Sequence, residues 1–295
     1  MTAKAKALVF GGATGLLGRA LCEKLEEAGW IFQVAGRAEF DFNAPDAADR
    51  LAELVDDFEP DCVFNAIGYT QVDQAEDEPE NAALLNRTLP AILGRILLSR
   101  PCTLVHYSTD FVFDGKKKSP YTTDDPCNPL CVYGESKRAG EEALLSLGLS
   151  KCLILRTAWL FGPYKKNFVS TILGLCREKK QIDVVFDQVG SPTYTPDLAH
   201  FSLKLVEADA SGIFHVVNSG QANWCELAGE AVHLAQYECR INPVTSDQFP
   251  RKARRPAYSV LDHHKLDQVT GLSPRPWPQA LRDYIFRDFA PHDQD

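Results

Sequence analysis

The chain has 295 residues, 45% of them hydrophobic and 24% charged, and its 31 Lys and Arg against 40 Asp and Glu give a net charge of −9. That balance disfavours nonspecific binding to nucleic acid or to an anionic membrane surface, so any anionic ligand must be held by a local site. The length allows one or two domains, and no apolar stretch approaches the ~20 residues that a membrane span needs.

The opening MTAKAKALVFGG runs straight into a strand pattern without the apolar core of a signal peptide. The nine cysteines are odd in number and irregularly spaced, which reads as reduced thiols rather than a disulfide framework. Together these features predict a cytoplasmic protein. Cys127 and Cys131 are the closest pair, but no second pair or histidine doublet has zinc spacing, and the seven histidines form no ligand cluster. No metal site is expected.

Taken in chain order, residues 5–10 read as a buried strand and 16–28 as a helix with apolar residues at helical spacing. Further strand-length apolar runs lie at 31–35, 61–67, 103–108 and 152–157. Helical patterns at 46–58, 81–99 and 135–147 fall between them. Strands alternating with helices over short links predict an α/β fold, a Rossmann-type doubly wound parallel sheet. After Trp159 the chain turns richer in Pro and Gly. Helices at 167–180 and 224–236 and one strand at 213–217 remain legible there. The expected organisation is a sheet domain over 1–158, with a return near 193–217, and a smaller, mainly ligand-binding domain over 159–295.

Between the first strand and helix lies Gly12-Ala-Thr-Gly15-Leu16-Leu17-Gly18. Glycines there permit a tight turn and let backbone N–H groups approach a pyrophosphate at the helix N-terminus. The second strand ends in Ala35-Gly36-Arg37, where an acidic residue would meet a ribose 2′-hydroxyl but an arginine accommodates a 2′-phosphate. Arg37 thus favours NADPH. Asp41 and Phe42 follow closely enough to border the adenine. At the third strand end, Asn65-Ala66-Ile67-Gly68 offers small residues over which a dinucleotide can pass.

The fourth strand runs into His106-Tyr-Ser-Thr109-Asp110, placing hydroxyls at a carboxyl strand edge, where such sheets bind ligands. Tyr133 and Lys137 are one helical turn apart and share a face. A free phenol has pKa about 10, and a neighbouring ammonium stabilises its phenolate. The phenol can then protonate a carbonyl oxygen as hydride reaches the carbon. Thr109 can donate to the same oxygen, and Lys137 can hold the nicotinamide ribose.

At this point the chain resembles the extended short-chain dehydrogenase/reductases, and among them the dTDP-4-dehydrorhamnose reductase family. GGATGLLG, NAIGYTQVDQAEDEP, STDFVFDG, PYTTDDPCNPLCVYGESKRAGE, LRTAWLFG, DQVGSPTYTPDLA and RRPAYSVLD stand in the family's order over nearly the whole chain. The resemblance implies NADPH-dependent reduction of a 4-keto-6-deoxy nucleotide sugar, with Thr109, Tyr133 and Lys137 catalytic. It implies that Gly15, Leu16 and Leu17 border the pyrophosphate and that Ala66, Ile67 and Gly68 border the other half of the cofactor. It also implies that Thr109, Asp110 and Trp159 touch the substrate. NADH is open as a second cofactor, since the family often accepts both. A homodimer is also open, and magnesium is compatible with the site but not indicated by the sequence. Where the family often has Gln, this chain has Leu16. The turn is also similar to that of the regulatory β subunit of methionine adenosyltransferase, so a non-catalytic NADP-binding subunit is the alternative from another class. A reductase of a different nucleotide sugar is a further one.

Other residues have two readings. Gln188 and Thr193 border the substrate or only shape a turn at Pro192. Arg254 and Arg255 clamp a pyrophosphate or are solvated charges. The acidic run 73–80 reads as a solvated helix start, and His106 as a satisfied core residue.

Overall fold

In the computed structural model, which describes residues 4–289, the first strand sorts its side chains into two cores. Ala7 and Val9 of β1 (Lys6–Phe10) face one cluster, while Leu8 and Phe10 face the other. That alternation is the period of two that a strand buried on both faces must show. With β2 (Ile31–Ala35), β3 (Cys62–Asn65), β4 (Thr103–Thr109), β5 (Cys152–Thr157) and the strand Gly212–His215, it forms a six-stranded sheet. The order is Gly212–His215, β5, β4, β3, β1, β2, and every pairing is parallel. The expected doubly wound α/β sheet is therefore the observed architecture.

Helix α1 (Leu16–Glu27) covers one face through Leu17, Leu21 and Leu25, beside the helix Thr195–Glu207, which adds Leu198, Phe201 and Leu205. Helix α2 (Ala47–Phe58) and the helix Leu89–Leu97 cover the other face with Leu51, Val55, Leu89 and Leu93. The helix Thr195–Glu207 has no counterpart among the helices expected from the sequence.

Two expectations of local structure are refined. The helix expected over 81–99 runs without a break from Pro79 to Leu97 but contains a π-helical turn, Leu84–Thr88. Pro90 has no N–H to give the carbonyl of Asn86 four residues earlier, so the ladder shifts and Leu89 N–H bonds Leu84 O instead. The freed Asn86 carbonyl packs against Gly140, where any Cβ would overlap it. The C-terminal third is also more regular than its composition suggests. Gln181–Val185 pairs in parallel with Arg240–Val244, beside a core built from Phe161, Leu173, Leu227, Leu281 and Tyr284. Both strands have exposed residues, and Pro243 lies within the second, which hides them from a search for apolar runs.

Candidate active site

The turn after β1 is shaped by what its glycines exclude. A Cβ on Gly15 would lie 2.6 Å from the Gly11 carbonyl oxygen, and one on Gly18 would overlap the same oxygen. Gly12 likewise fits between Cys22 and Val34, each within 2.9 Å of its Cβ position. Helix α1 begins at Leu16 with no side-chain cap and no acidic residue in its first turn. Its first N–H groups, on Leu16, Leu17 and Gly18, therefore precede the first helical bond, from Arg19 to Gly15 O at 3.1 Å. An uncapped positive helix end beside a cradle that side chains would fill fits a dinucleotide pyrophosphate. Leu17 itself points into the core and Leu16 is half-buried, so both would contribute backbone rather than side chain.

Arg37 is exposed at the end of β2, and its Nη2 lies 3.5 Å from the Gly68 carbonyl oxygen, spanning the ends of β2 and β3. Asp41 is exposed and accepts the Asn43 N–H at 3.0 Å. Phe42 does not offer an open ring for adenine: it is only 8% exposed and packs with Leu51 and Val55. Its apolar surface is better buried than left at the rim.

Ala66 and Ile67 follow β3, and Gly68 comes next, where a Cβ would lie 2.9 Å from Lys137 Nζ and 3.1 Å from Asn86 Oδ1. Sequence reasoning missed Asn86. Its side chain accepts from Tyr69 N–H at 2.9 Å and donates to Tyr69 O at 3.1 Å and to Ser136 Oγ at 2.9 Å. It thereby ties the turn after β3 to the helix Val132–Ser146, which carries Tyr133 and Lys137. A proline four residues downstream was the available signal.

At the carboxyl end of β4, Thr109 Oγ1 donates to Asp110 Oδ1 at 3.0 Å and accepts from Phe111 N–H at 3.2 Å. The hydroxyl also lies close enough to Tyr133 to influence its phenol. Burial pushes the Tyr133 phenol above its ordinary value, with Thr109 pulling the other way. Burial lowers Lys137 to about 8, and Glu141 one turn further on opposes that shift. Lys137 Nζ donates to the Tyr107 carbonyl at 2.9 Å. Withdrawal from water is the larger influence on both groups, and it favours their neutral forms. A phenol that stays protonated is a competent proton donor.

Asp110 is 2% exposed, and burial pushes its carboxyl up to about 6. Ser259, in the closing RPxxSxLD stretch, donates to its Oδ2 at 2.6 Å. Both oxygens of Asp110 thus have partners within the protein. Ser259 was not singled out from the sequence.

His106 occupies the expected core position, but only half satisfied. Its Nδ1 lies 3.2 Å from Asn65 Nδ2, while Nε2 has no hydrogen-bond partner among the described residues. Burial holds it well below the usual imidazole range, so it is neutral.

Trp159, two residues after β5, has a left-handed φ of 48° and stacks on Trp224 with centroids 3.5 Å apart and planes 5° off parallel. Gly190 lies against it, where a Cβ would fall 2.5 Å from the indole. Gln188 accepts from Trp224 Nε1 at 3.1 Å and donates to Ser246 Oγ at 2.9 Å. It therefore braces the two tryptophans rather than merely shaping the turn. Thr193 is buried and donates to Ser191 O at 3.1 Å.

Arg255 is not a free clamp. Its two terminal nitrogens meet Asp73 at 3.0 and 2.9 Å, and Ala253 N–H reaches the same carboxylate at 3.1 Å. The Arg255 guanidinium holds Asp73 below the usual carboxylate range against the opposing effect of burial. The acidic run is accordingly more than a solvated helix start. Arg254 is exposed and forms no ion pair among the described residues.

A glycine cradle at a helix N-terminus, with a threonine, tyrosine and lysine converging at the edge of a parallel sheet, defines an NAD(P)-dependent oxidoreductase of the short-chain dehydrogenase/reductase type. The family model described as the RmlD substrate binding domain matches residues 6–289. The chain belongs to the dTDP-4-dehydrorhamnose reductase family. The spore coat polysaccharide biosynthesis protein SpsK of Bacillus subtilis (strain 168) is 40% identical over 93% of this chain and 95% of that protein. The dTDP-4-dehydrorhamnose reductase of Aggregatibacter actinomycetemcomitans is 37% identical over 94% of this chain and 97% of its own. The crystal structure of dTDP-4-dehydrorhamnose reductase from Bacillus anthracis str. Ames, in complex with NADP, superposes with a TM-score of 0.91 at 31% identity, covering 96% and 99% of the two chains. No helix among the described residues is long and apolar enough to cross a membrane.

Proposed function

We propose that this protein reduces the C4 keto group of dTDP-4-dehydro-β-L-rhamnose to give dTDP-β-L-rhamnose, with NADPH as reductant. The observation that carries the reading is Thr109 at the carboxyl end of β4 beside the helix that bears Tyr133 and Lys137, with Lys137 Nζ on the Tyr107 carbonyl at 2.9 Å and Ser259 of the C-terminal motif on Asp110 at 2.6 Å. NADPH, when bound, supplies the hydride. Tyr133 gives its phenolic proton to the carbonyl oxygen, and Thr109 hydrogen-bonds to that oxygen as charge develops on it. Lys137 holds the nicotinamide ribose and the Tyr133 oxygen in its field. Asp110, Trp159 and Gln188 border the sugar in this reading. For Arg255 to share in holding the pyrophosphate, it would exchange the Asp73 carboxylate for another anion.

The test is turnover of NADPH, followed by its near-ultraviolet absorbance, with a panel of 4-keto nucleotide sugars, and calorimetry with dTDP on the NADPH-loaded protein. Turnover highest with the rhamnose precursor supports the reading. A preference for another nucleotide sugar would reassign the substrate. No binding of dTDP and no turnover of any panel member would leave a dinucleotide-binding protein without this activity.

Two expected results follow from charges at the site. Arg37 is the cation placed for a 2′-phosphate, so NADPH should bind more tightly than NADH. Because the guanidinium is exposed and screened, Arg37→Ala should narrow the gap by no more than about ten-fold. Equal dissociation constants for the two cofactors in the wild type, by fluorescence titration, would make Arg37 surface charge only. The second result concerns pH. Lys137 has to carry its proton to assist the phenol, and burial lowers it to about 8. Activity should therefore be present below that value and fall as pH rises through it, well before the ordinary lysine range. A kcat/KM profile flat up to the ordinary lysine range would show that the ammonium is held charged by other means.

A further inference from the structure

The acidic segment after the β3 turn grips two parts of the molecule. Asp73, on the short helix Val72–Ala75, holds Arg255 and the Ala253 N–H, and Asp77 pairs with Lys252. Glu76, between them, reaches the other way. Its Oε1 accepts the N–H of Val132 at 2.9 Å, 56 residues along the chain. Val132 is the first residue of the helix that carries Tyr133, and the residue before it, Cys131, provides no side-chain cap.

The first N–H groups of a helix have no partner inside it and need one from elsewhere. Here the partner is a half-buried carboxylate from another element, immediately before the proposed proton donor. The remaining restraints on Tyr133 act from different directions. Phe111 meets its ring edge-on, with centroids 5.5 Å apart. Ser136 Oγ, bonded to Asn86, donates to the Tyr133 carbonyl at 2.8 Å. Glu76 is the group that fixes the backbone on the N-terminal side.

We propose that Glu76 is a positioning residue for Tyr133, capping its helix from the neighbouring segment after β3 so that the phenol is held beside Thr109. The neighbouring Asp73–Arg255 pair fastens the same segment to the C-terminal motif, so a single short stretch sets the proton donor relative to the substrate-side loop. This rests on the reading of Tyr133 as proton donor given above. A misplacement of about 1 Å can cost on the order of a hundred-fold in rate. Loss of one of several restraints should cost less.

The experiment compares Glu76→Ala and Glu76→Gln in the NADPH-loaded protein. In Glu76→Ala, kcat should fall about ten-fold while KM and the NADPH dissociation constant stay within about two-fold, a split that marks an effect confined to the transition state. Glu76→Gln keeps an oxygen acceptor for Val132 and should recover most of kcat. Hydrogen exchange at the Val132 amide should be faster in the alanine variant and near wild type in the glutamine variant. That measurement needs no substrate. Unchanged Val132 exchange in Glu76→Ala would overturn the cap, and equal kcat losses in the two variants would overturn the positioning role. A wild type that shows protected Val132 but turns over no keto sugar would instead count against the proposed function.

Discussion

Tyr133→Phe should lower kcat by about 10²- to 10⁴-fold, the usual contribution of a positioned general acid, with NADPH affinity changed by less than about two-fold. The substitution is clean because the ring's packing survives it. The edge-on contact with Phe111, at 5.5 Å and 74°, involves the ring and not the hydroxyl. Burial raises the phenol's pKa, so the wild-type group holds its proton at neutral pH and is ready to give it away. In the proposed mechanism, phenylalanine leaves Thr109 as the hydroxyl facing the carbonyl oxygen. Thr109 can stabilise developing charge there but is too weak an acid to replace the donor. Single-turnover kinetics with the preferred keto sugar separates this chemical defect from substrate binding. A Tyr133→Phe enzyme working at near wild-type rate would remove Tyr133 from the mechanism.

The parts of this site that the sequence displays are those whose partners lie within one helical turn or one strand-to-helix link. Gly15 and Gly18 are readable because steric exclusion by the Gly11 carbonyl acts within a single turn. Tyr133 and Lys137 are readable because a four-residue spacing puts them on one helix face. The central strands β1, β3, β4 and β5 are readable because burial on both faces makes each a short apolar run. Groups that act across 17 to 182 residues have no such pattern: Asn86 on Tyr69, Glu76 on Val132, Ser259 on Asp110 and Arg255 on Asp73. Composition treats Asp73 and Glu76 as surface charge, since nothing local reveals that each meets a fixed donor. Phe42, read from its closeness to a strand end, has its ring packed in the core beside Leu51 and Val55.

Glu141→Ala should be among the most destabilising single changes on the helix that carries Tyr133. Arg156 of β5 and Glu141 are 1% and 0% exposed, and two guanidinium nitrogens each meet a carboxylate oxygen at 2.8 Å. Arg138 adds a third contact at 3.0 Å. Burial pushes the Glu141 carboxyl up, but the Arg156 bonds and charge hold it below its ordinary value. Removing the carboxylate strands the Arg156 charge in the interior, with the Cys127 thiol and the face of Phe113 as company. Breaking a buried pair in this way costs about 3–5 kcal/mol, a large share of the ~5–15 kcal/mol that folds a typical protein. Replacing both partners together, as in Glu141→Leu with Arg156→Met, should cost much less, because no buried charge is left alone. Urea unfolding of the single and double variants measures the difference, and a single-variant loss below about 1 kcal/mol would show that water reaches the pair. The double variant also isolates a catalytic consequence. Glu141 is the group that supports the charge on Lys137 against burial, so without it Lys137 should titrate below about 8. The alkaline limb of activity should then move to lower pH in a protein that still folds. A limb that stays in place would show that the pair serves stability alone.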